Sequence, residues 1–338
     1  MCMNRTLGVT FSKSSQWHTH QRDLIKSIED QIKARFSNDI NLLINMTWFG
    51  PQFINNNNEH AKFLEYIHSQ PIDNIFLLAS EDPCCYNKEE TKHLIKDSGA
   101  SHSFLLGHFN GEFEFNFYST VINEYFPIYA EQDLLLAQPQ YTFINYNRKP
   151  HEHRKQFVNM LDSRKLTQFG IVTLGNNRNI GETIEEYKEG NWGMADEYGI
   201  PHDIHSLGRL EYWQNHFLNI VSETNFEDHL WTMLTEKTFK PIIGLRPFVI
   251  NGQLDVYRYL RQNGFKTFNN YWPHINLETC HTDDIHKNIC EVIVWLQTQD
   301  LEQLYLDMLP DLHYNKLRFD EFALEQKYKM ENLFAQTK

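Results

Sequence analysis

Two stretches of this chain gather side chains suited to a charged, hydroxyl-rich ligand. The first is Asn145-Tyr146-Asn147-Arg148-Lys149-Pro150-His151-Glu152-His153-Arg154-Lys155. It follows the apolar run Tyr141 to Tyr146 and leads into a helical pattern, with Pro150 suited to an early helix position. Backbone N–H groups at a helix start, reinforced by Arg148, Arg154 and Lys155, make a natural anchor for a diphosphate. A solvated basic helix start is the competing account. The second stretch runs from Val221 to Gly252 (VSETNFEDHLWTMLTEKTFKPIIGLRPFVING). An apolar run ends at Glu223, and Thr235-Glu236-Lys237 opens or lies within a helix that Gly244 ends. Thr235 caps such a helix and the two charges balance it. At the carboxyl edge of a parallel sheet the same groups have a second use. A carboxylate takes ribose or sugar hydroxyls, and an ammonium neutralises phosphate charge that grows as a leaving group departs.

Both stretches need strands and helices to place them. Residues 6–11, 40–48, 72–79 and 103–106 read as strands, and the apolar positions Leu24, Ile25, Ile28, Ile32 and Phe36 give a helix over 23–36. A second cycle begins near residue 140. Strands are expected at 141–146, 169–174, 217–222, 247–250 and 265–268, and helices after Pro150, over 232–243 and over 254–263. From Thr282 onward the pattern is helical. Strands separated by helices of this length imply parallel sheets with crossover helices. The expected division is an N-terminal domain over 1–138, a second α/β domain over 139–280, and C-terminal helices over 281–338 packing back on the domains. Two such sheets facing a cleft hold a ligand outside their strand carboxyl ends.

Composition bounds the classes. The chain has 338 residues, which fits two domains. Lys+Arg 31 against Asp+Glu 44 leaves a net charge of −13. That balance disfavours holding DNA mainly through its phosphates, without excluding a local basic cleft. No run approaches the roughly 18 apolar residues of a membrane span, and residues 1–11 lack the pattern of a signal peptide, so a cytoplasmic protein is expected. Cys2, Cys84, Cys85, Cys280 and Cys290 are odd in number and lack zinc spacing, which favours reduced thiols. His202 and His205 have no third ligand at a convincing spacing, and Asp-X-Asp is absent, so no metal is expected.

The segment TEKTFKPIIGLRPFVING resembles the donor-binding signature of GT-B glycosyltransferases of the α1,3-fucosyltransferase type: a strand ending in Glu, a loop, a Thr-Glu-Lys helix, then Gly and a Pro-containing strand. NYNRKPHEHRKQF is similar to the start of the same domain in that group. The wider likeness is to uncharacterised glycosyltransferase-like proteins of phages and marine viruses or bacteria, shared through LTEKTFKPI, Leu260-Arg261 and Gly264-Phe265-Lys266-Thr267-Phe268. It covers about residues 141–272. The Glu223-to-Glu236 gap is longer than the fucosyltransferase pattern, and Asn269-Asn270-Tyr271-Trp272-Pro273-His274 replaces an acidic turn.

The resemblance implies a GT-B-like α/β fold, with two Rossmann-like parallel-sheet domains facing a cleft and a C-terminal helical tail. It implies metal-independent transfer of a sugar from a nucleotide-sugar co-substrate to a hydroxyl acceptor, with no further cofactor. Arg148, Arg154 and Lys237 would then bind the donor diphosphate with Lys155 and Thr235 beside them, while Glu223 and Glu236 hold hydroxyls. On the acceptor side, Glu81 and Asp82 after the run IFLLAS are the candidates for a catalytic base, with Glu223 as a further catalytic candidate. His18 and His20, in the loop expected after the first strand, compete with them, and Trp48 offers a stacking surface. The acidic balance favours a glycan acceptor over a hydroxylated DNA base. The alternative is a non-catalytic module that binds nucleotides or glycans. A dinucleotide oxidoreductase lacks support because no G-x-G-x-x-G follows a strand.

Overall fold

A computed structural model describes residues 5–10, 18–45, 65, 69, 72–78, 100–106, 115–116, 119, 123, 128–129, 134–147, 150–175, 178–180, 207, 210–224, 226 and 234–334. Within them the chain is α/β. Its contacts form two units, one of Met1–Thr120 with Leu324–Lys338 and one of Val121–Ala323.

In the first unit, β1 (Arg5–Thr10), β2 (Ile40–Asn45), β3 (Asn74–Leu78) and β4 (His102–Leu106) lie side by side in chain order, every pair parallel. The helix α1 (His18–Arg35) connects β1 to β2. Its apolar spacing buries Ile28 and Ile32 in a core with Leu43, Phe76, Leu78, Leu106, Phe115, Met330, Leu333 and Phe334. Gln31 ties that core to the chain's end, donating to the Met330 carbonyl at 2.9 Å and accepting from the Leu333 N–H at 2.9 Å. The helix begins at His18, ahead of the expected Asp23, because the polar residues before Asp23 carry no apolar periodicity to announce it. His18 and His20 therefore belong to its first turn and not to a loop.

The second unit holds β5 (Tyr141–Asn145), β6 (Gly170–Leu174), β7 (Arg178–Ile180), β8 (His216–Ser222) and β9 (Phe248–Asn251) in the spatial order β7-β6-β5-β8-β9. Only β7 is antiparallel to its neighbour. The helix α2 (Glu152–Ser163) joins β5 to β6, and α3 (Leu210–Asn215) runs directly into β8. The helix α4 (Glu236–Ile243) joins β8 to β9, followed by α5 (Asp255–Gln262), α6 (Ile285–Leu296) and α7 (Leu301–Glu331). From β5 the chain moves outward to β6, then returns to place β8 on the other side of β5. That reversal is a topological switch point, where open α/β sheets bind ligands outside the strand carboxyl ends. The described strands of the first sheet contain no such reversal.

Close packing fixes several glycines and one buried cation. A Cβ on Gly170 would come within 2.6 Å of the Phe143 carbonyl oxygen across the β5–β6 pair. A Cβ on Gly244 would meet the Trp213 ring at 2.2 Å, so the glycine that ends α4 answers to packing, while the left-handed turn falls on Leu245 (φ 53°). Arg246 is fully buried and donates to the carbonyls of His216 (2.8 Å), Leu134 (2.9 Å) and Leu245 (2.8 Å). Leu134, and the backbone bonds from Ala137 to Gln214 and from Gln140 to Asn215, fasten residues 134–140 to the second unit. The contact boundary at 120/121 accordingly lies earlier than the expected boundary at 138. Residues 265–268, expected to be a strand, are irregular. Their alternation reflects burial of Phe265 against Phe322 (5.4 Å) and of Phe268 against Phe248 (5.3 Å). Among the described residues no helix is long and apolar enough to cross a membrane.

Candidate functional site

The carboxyl ends of β5, β8 and β9 each finish on a polar residue: Asn145, Ser222 and Asn251. Apolar side chains end there because the chain leaves the sheet. These three residues are nonetheless buried, so their polar groups must pair with one another. Asn145 donates through Nδ2 to the Ile220 carbonyl (2.8 Å) and to Ser222 Oγ (3.0 Å). Asn251 donates to the same hydroxyl (3.2 Å). Asn147, two residues past β5 and fully buried, donates to Asn145 Oδ1 and to the Thr173 carbonyl. Its own N–H reaches Thr173 Oγ1 (3.0 Å), and its carbonyl accepts from Gly175 (2.7 Å). A continuous polar ledge thus crosses the sheet at the switch point.

Glu223 continues the ledge into α4. Its carboxylate is buried and accepts from three donors of the helix start: Thr235 Oγ1 (2.6 Å), Thr238 Oγ1 (2.6 Å) and the Thr235 N–H (3.2 Å). An anion at a helix N-terminus is favoured by the aligned peptide dipoles, so Glu223 locks the end of β8 to α4. Thr235 is also the N-cap, its hydroxyl accepting from the Lys237 N–H. The Lys237 ammonium donates to Thr235 Oγ1 (3.2 Å) and to Glu236 Oε1 (2.7 Å), and its side chain keeps about a third of its surface in solvent. Burial alone would raise the pKa of Glu236, but the ammonium groups of Lys237 and Lys240 outweigh it and hold its carboxyl below the usual range.

The start of α2 meets the same point from the other side. Arg154 is buried, and its Nη2 donates to the carbonyls of Ser222 (3.0 Å) and Glu223 (3.0 Å), which end β8. The His153 ring hydrogen-bonds the Glu223 carbonyl (3.1 Å) and stacks on Phe226 (5.2 Å between centroids, 13° between planes). Burial, helped by the Arg154 charge, pushes the pKa of His153 down to about 4, so near neutral pH it is an uncharged donor. Phe226 also contacts His286 (4.8 Å), whose pKa burial likewise lowers to about 4. The N-cap of α2, His151, makes no side-chain capping hydrogen bond. The two helix starts at the switch point therefore differ: α4 is capped by Thr235 and Glu223, whereas α2 has no side-chain cap from its own N-cap residue.

Of the residues expected in the site, Arg154, Glu223, Thr235, Glu236 and Lys237 are joined in this one network. Lys155 is not; it lies on the exposed side of α2 with its ammonium 3.6 Å from Glu152. Arg148, Trp48, Glu81 and Asp82 lie outside the described residues. Asn145, Asn147, Ser222, Thr238, Asn251 and His153 form part of the network without having been singled out for it. For Asn145, Ser222 and Asn251 the signal is a polar residue closing each of three apolar runs. Among the described residues, no three His, Cys, Asp or Glu side chains are grouped to hold a metal. No family model matches the chain, and neither the curated proteins nor the solved structures contain a match.

Proposed function

We propose that the chain is a nucleotide-sugar-dependent glycosyltransferase of GT-B type, with the donor held at the β5/β8 switch point of the second unit. The observation that carries this reading is the convergence of two helix starts and Lys237 on one polar ledge at the place where a doubly wound sheet binds ligands. In this reading the donor diphosphate sits at the start of α2, where backbone N–H groups and the helix dipole favour an anion. Lys237 neutralises the charge that accumulates as the nucleoside diphosphate leaves. Glu223 acts as a positioning residue, because its carboxylate oxygens already bind the start of α4. Arg154 anchors α2 to β8 and adds positive charge beneath the site. The acceptor is a hydroxyl, on a glycan in preference to a DNA base, with Glu81 or Asp82 as the proposed base.

The commitment of Glu223 to a helix start also favours a second reading, a module that binds nucleotides or glycans without turnover. A thermal-shift screen of UDP-, GDP-, CMP- and ADP-sugars tests the site, and nucleotide release from the stabilising compound separates the two readings. Stabilisation lost in Lys237→Ala supports the donor site, and release supports the enzyme. If none of these compounds stabilises the protein, the proposal fails.

A further inference from the structure

Two polar atoms on the switch-point ledge have no hydrogen-bond partner: Asn147 Oδ1 and Asn251 Oδ1, both shielded from solvent. Buried polar atoms are nearly always paired, and an exception calls for a physical account. The orientation of the Asn147 amide is not arbitrary. Its Nδ2 faces two acceptors, the Thr173 carbonyl and Asn145 Oδ1, and the Asn145 amide is fixed in turn by its donation to the Ile220 carbonyl. Rotating Asn147 would set oxygen against oxygen, so its remaining atom is an acceptor. Asn251 engages Ser222 Oγ with one end of its amide, and its other end is left over. The two lie on either side of β8, after β5 and at the end of β9.

This pairing pattern contrasts with the polar residues at the amino ends of the first sheet. There Asn41 donates to the carbonyls of Phe36 (3.0 Å) and Asp39 (3.2 Å) and accepts from Asn74 (2.9 Å), and neither asparagine has a buried side-chain atom lacking a partner. Among the described asparagines, only Asn123 also carries a buried side-chain oxygen without a partner.

We infer that Asn147 and Asn251 form a hydroxyl-selecting subsite, in which their free amide ends pair with hydroxyls of the ligand held at the switch point. This rests on the nucleotide-sugar reading and adds to it which part of the ligand lies where. Near neutral pH a diphosphate offers only acceptor oxygens, which oppose Asn147 Oδ1. The phosphates therefore belong toward α2 and Lys237, and the Asn147 end takes donors. Two sources of such hydroxyls exist in one ligand, the ribose and the transferred sugar. Binding a ligand that lacks them leaves the amide ends unpaired, so the site discriminates by loss.

The test is calorimetric titration of the wild-type chain with UDP and GDP, with their 2′,3′-dideoxy counterparts, and with UDP- and GDP-sugars beside donors deoxygenated on the transferred sugar. The expected result is about tenfold or greater weakening in one deoxygenated series. Loss in the dideoxy arm assigns the subsite to ribose; loss confined to the other arm assigns it to the sugar. In Asn147→Ala or Asn251→Ala the discrimination shrinks toward unity, and if either variant fails to fold the wild-type series still decides. Binding that is equally tight in every arm, or discrimination unchanged in both variants, overturns the subsite while leaving the donor site standing. If no nucleotide binds at all, the nucleotide-sugar reading falls, and the subsite with it.

Discussion

Among the described side chains, the buried asparagines of the two sheets lie at opposite ends of their strands. In the first sheet Asn41 and Asn74 sit at the amino ends of β2 and β3, paired in register, and Asn74 also donates to Asp39 (3.0 Å). Asp73 completes the arrangement by accepting from the Ile40 N–H (2.8 Å). That network closes turns and is satisfied internally. In the second sheet Asn145, Asn147, Ser222, Glu223 and Asn251 lie at or just beyond the carboxyl ends, across a strand-order reversal, and two of the amides keep an unpaired end. The described strands of the first sheet run monotonically, without such a reversal. Buried polarity at a strand's amino end thus reads as architecture, and at the carboxyl ends around a switch point it reads as ligand chemistry.

Five substitutions and a titration break or sharpen that contrast. Glu223→Ala has the largest expected effect. It strips three buried donors at the start of α4 of their acceptor, costing about 3 kcal/mol or more in denaturant unfolding, and it displaces Lys237 as well. Asn74→Ala comes next, at about 1–3 kcal/mol, because Asp39 and Asn41 lose a buried donor. Being architectural, it leaves nucleotide binding by the second unit intact; a matching loss of binding would erase the distinction between the sheets.

Acidification should destabilise the second unit through His153 and His286. Their pKa values are held at about 4 in the folded chain, against roughly 6.5 unfolded, so between those values the unfolded chain binds more protons. Stability is therefore full above about pH 6.5 and declines as pH falls toward 4. Denaturant midpoints over that range check it, and His286→Phe should flatten the slope. Lys237→Ala should change stability by less than about 1 kcal/mol, since its ion pair is partly exposed, yet remove nucleotide binding. Lys155→Ala is the smallest case, within about 0.5 kcal/mol and without effect on binding, because Lys155 points away on an exposed face.

Much of this was legible in the residues. Runs such as INLLIN, NIFLL and HFLNIVS announced buried parallel strands, and Glu223 with Thr235-Glu236-Lys237 marked a strand end and a helix start whose types suited a ligand. What escaped has physical causes. The strand β7 is three residues in a polar segment, too short for any alternation to register. The helix α3 is six residues and merges into β8. Asn145, Ser222 and Asn251 looked like ordinary strand terminators, since a polar residue after an apolar run normally meets solvent. Burial of all three at one point depends on strand order, which no local pattern encodes. No local pattern tells a cation that faces a ligand from one that also fastens backbone, as Arg154 does by donating to the carbonyls that end β8.

The most direct test of the switch-point site is hydrogen exchange of the wild-type chain with and without the nucleotide-sugar that stabilises it. The account predicts added protection at residues 145–147, 151–155, 222–223 and 235–238, and none at residues 41–45 and 74–78. Protection confined to the first sheet, or absent from the second, would contradict it.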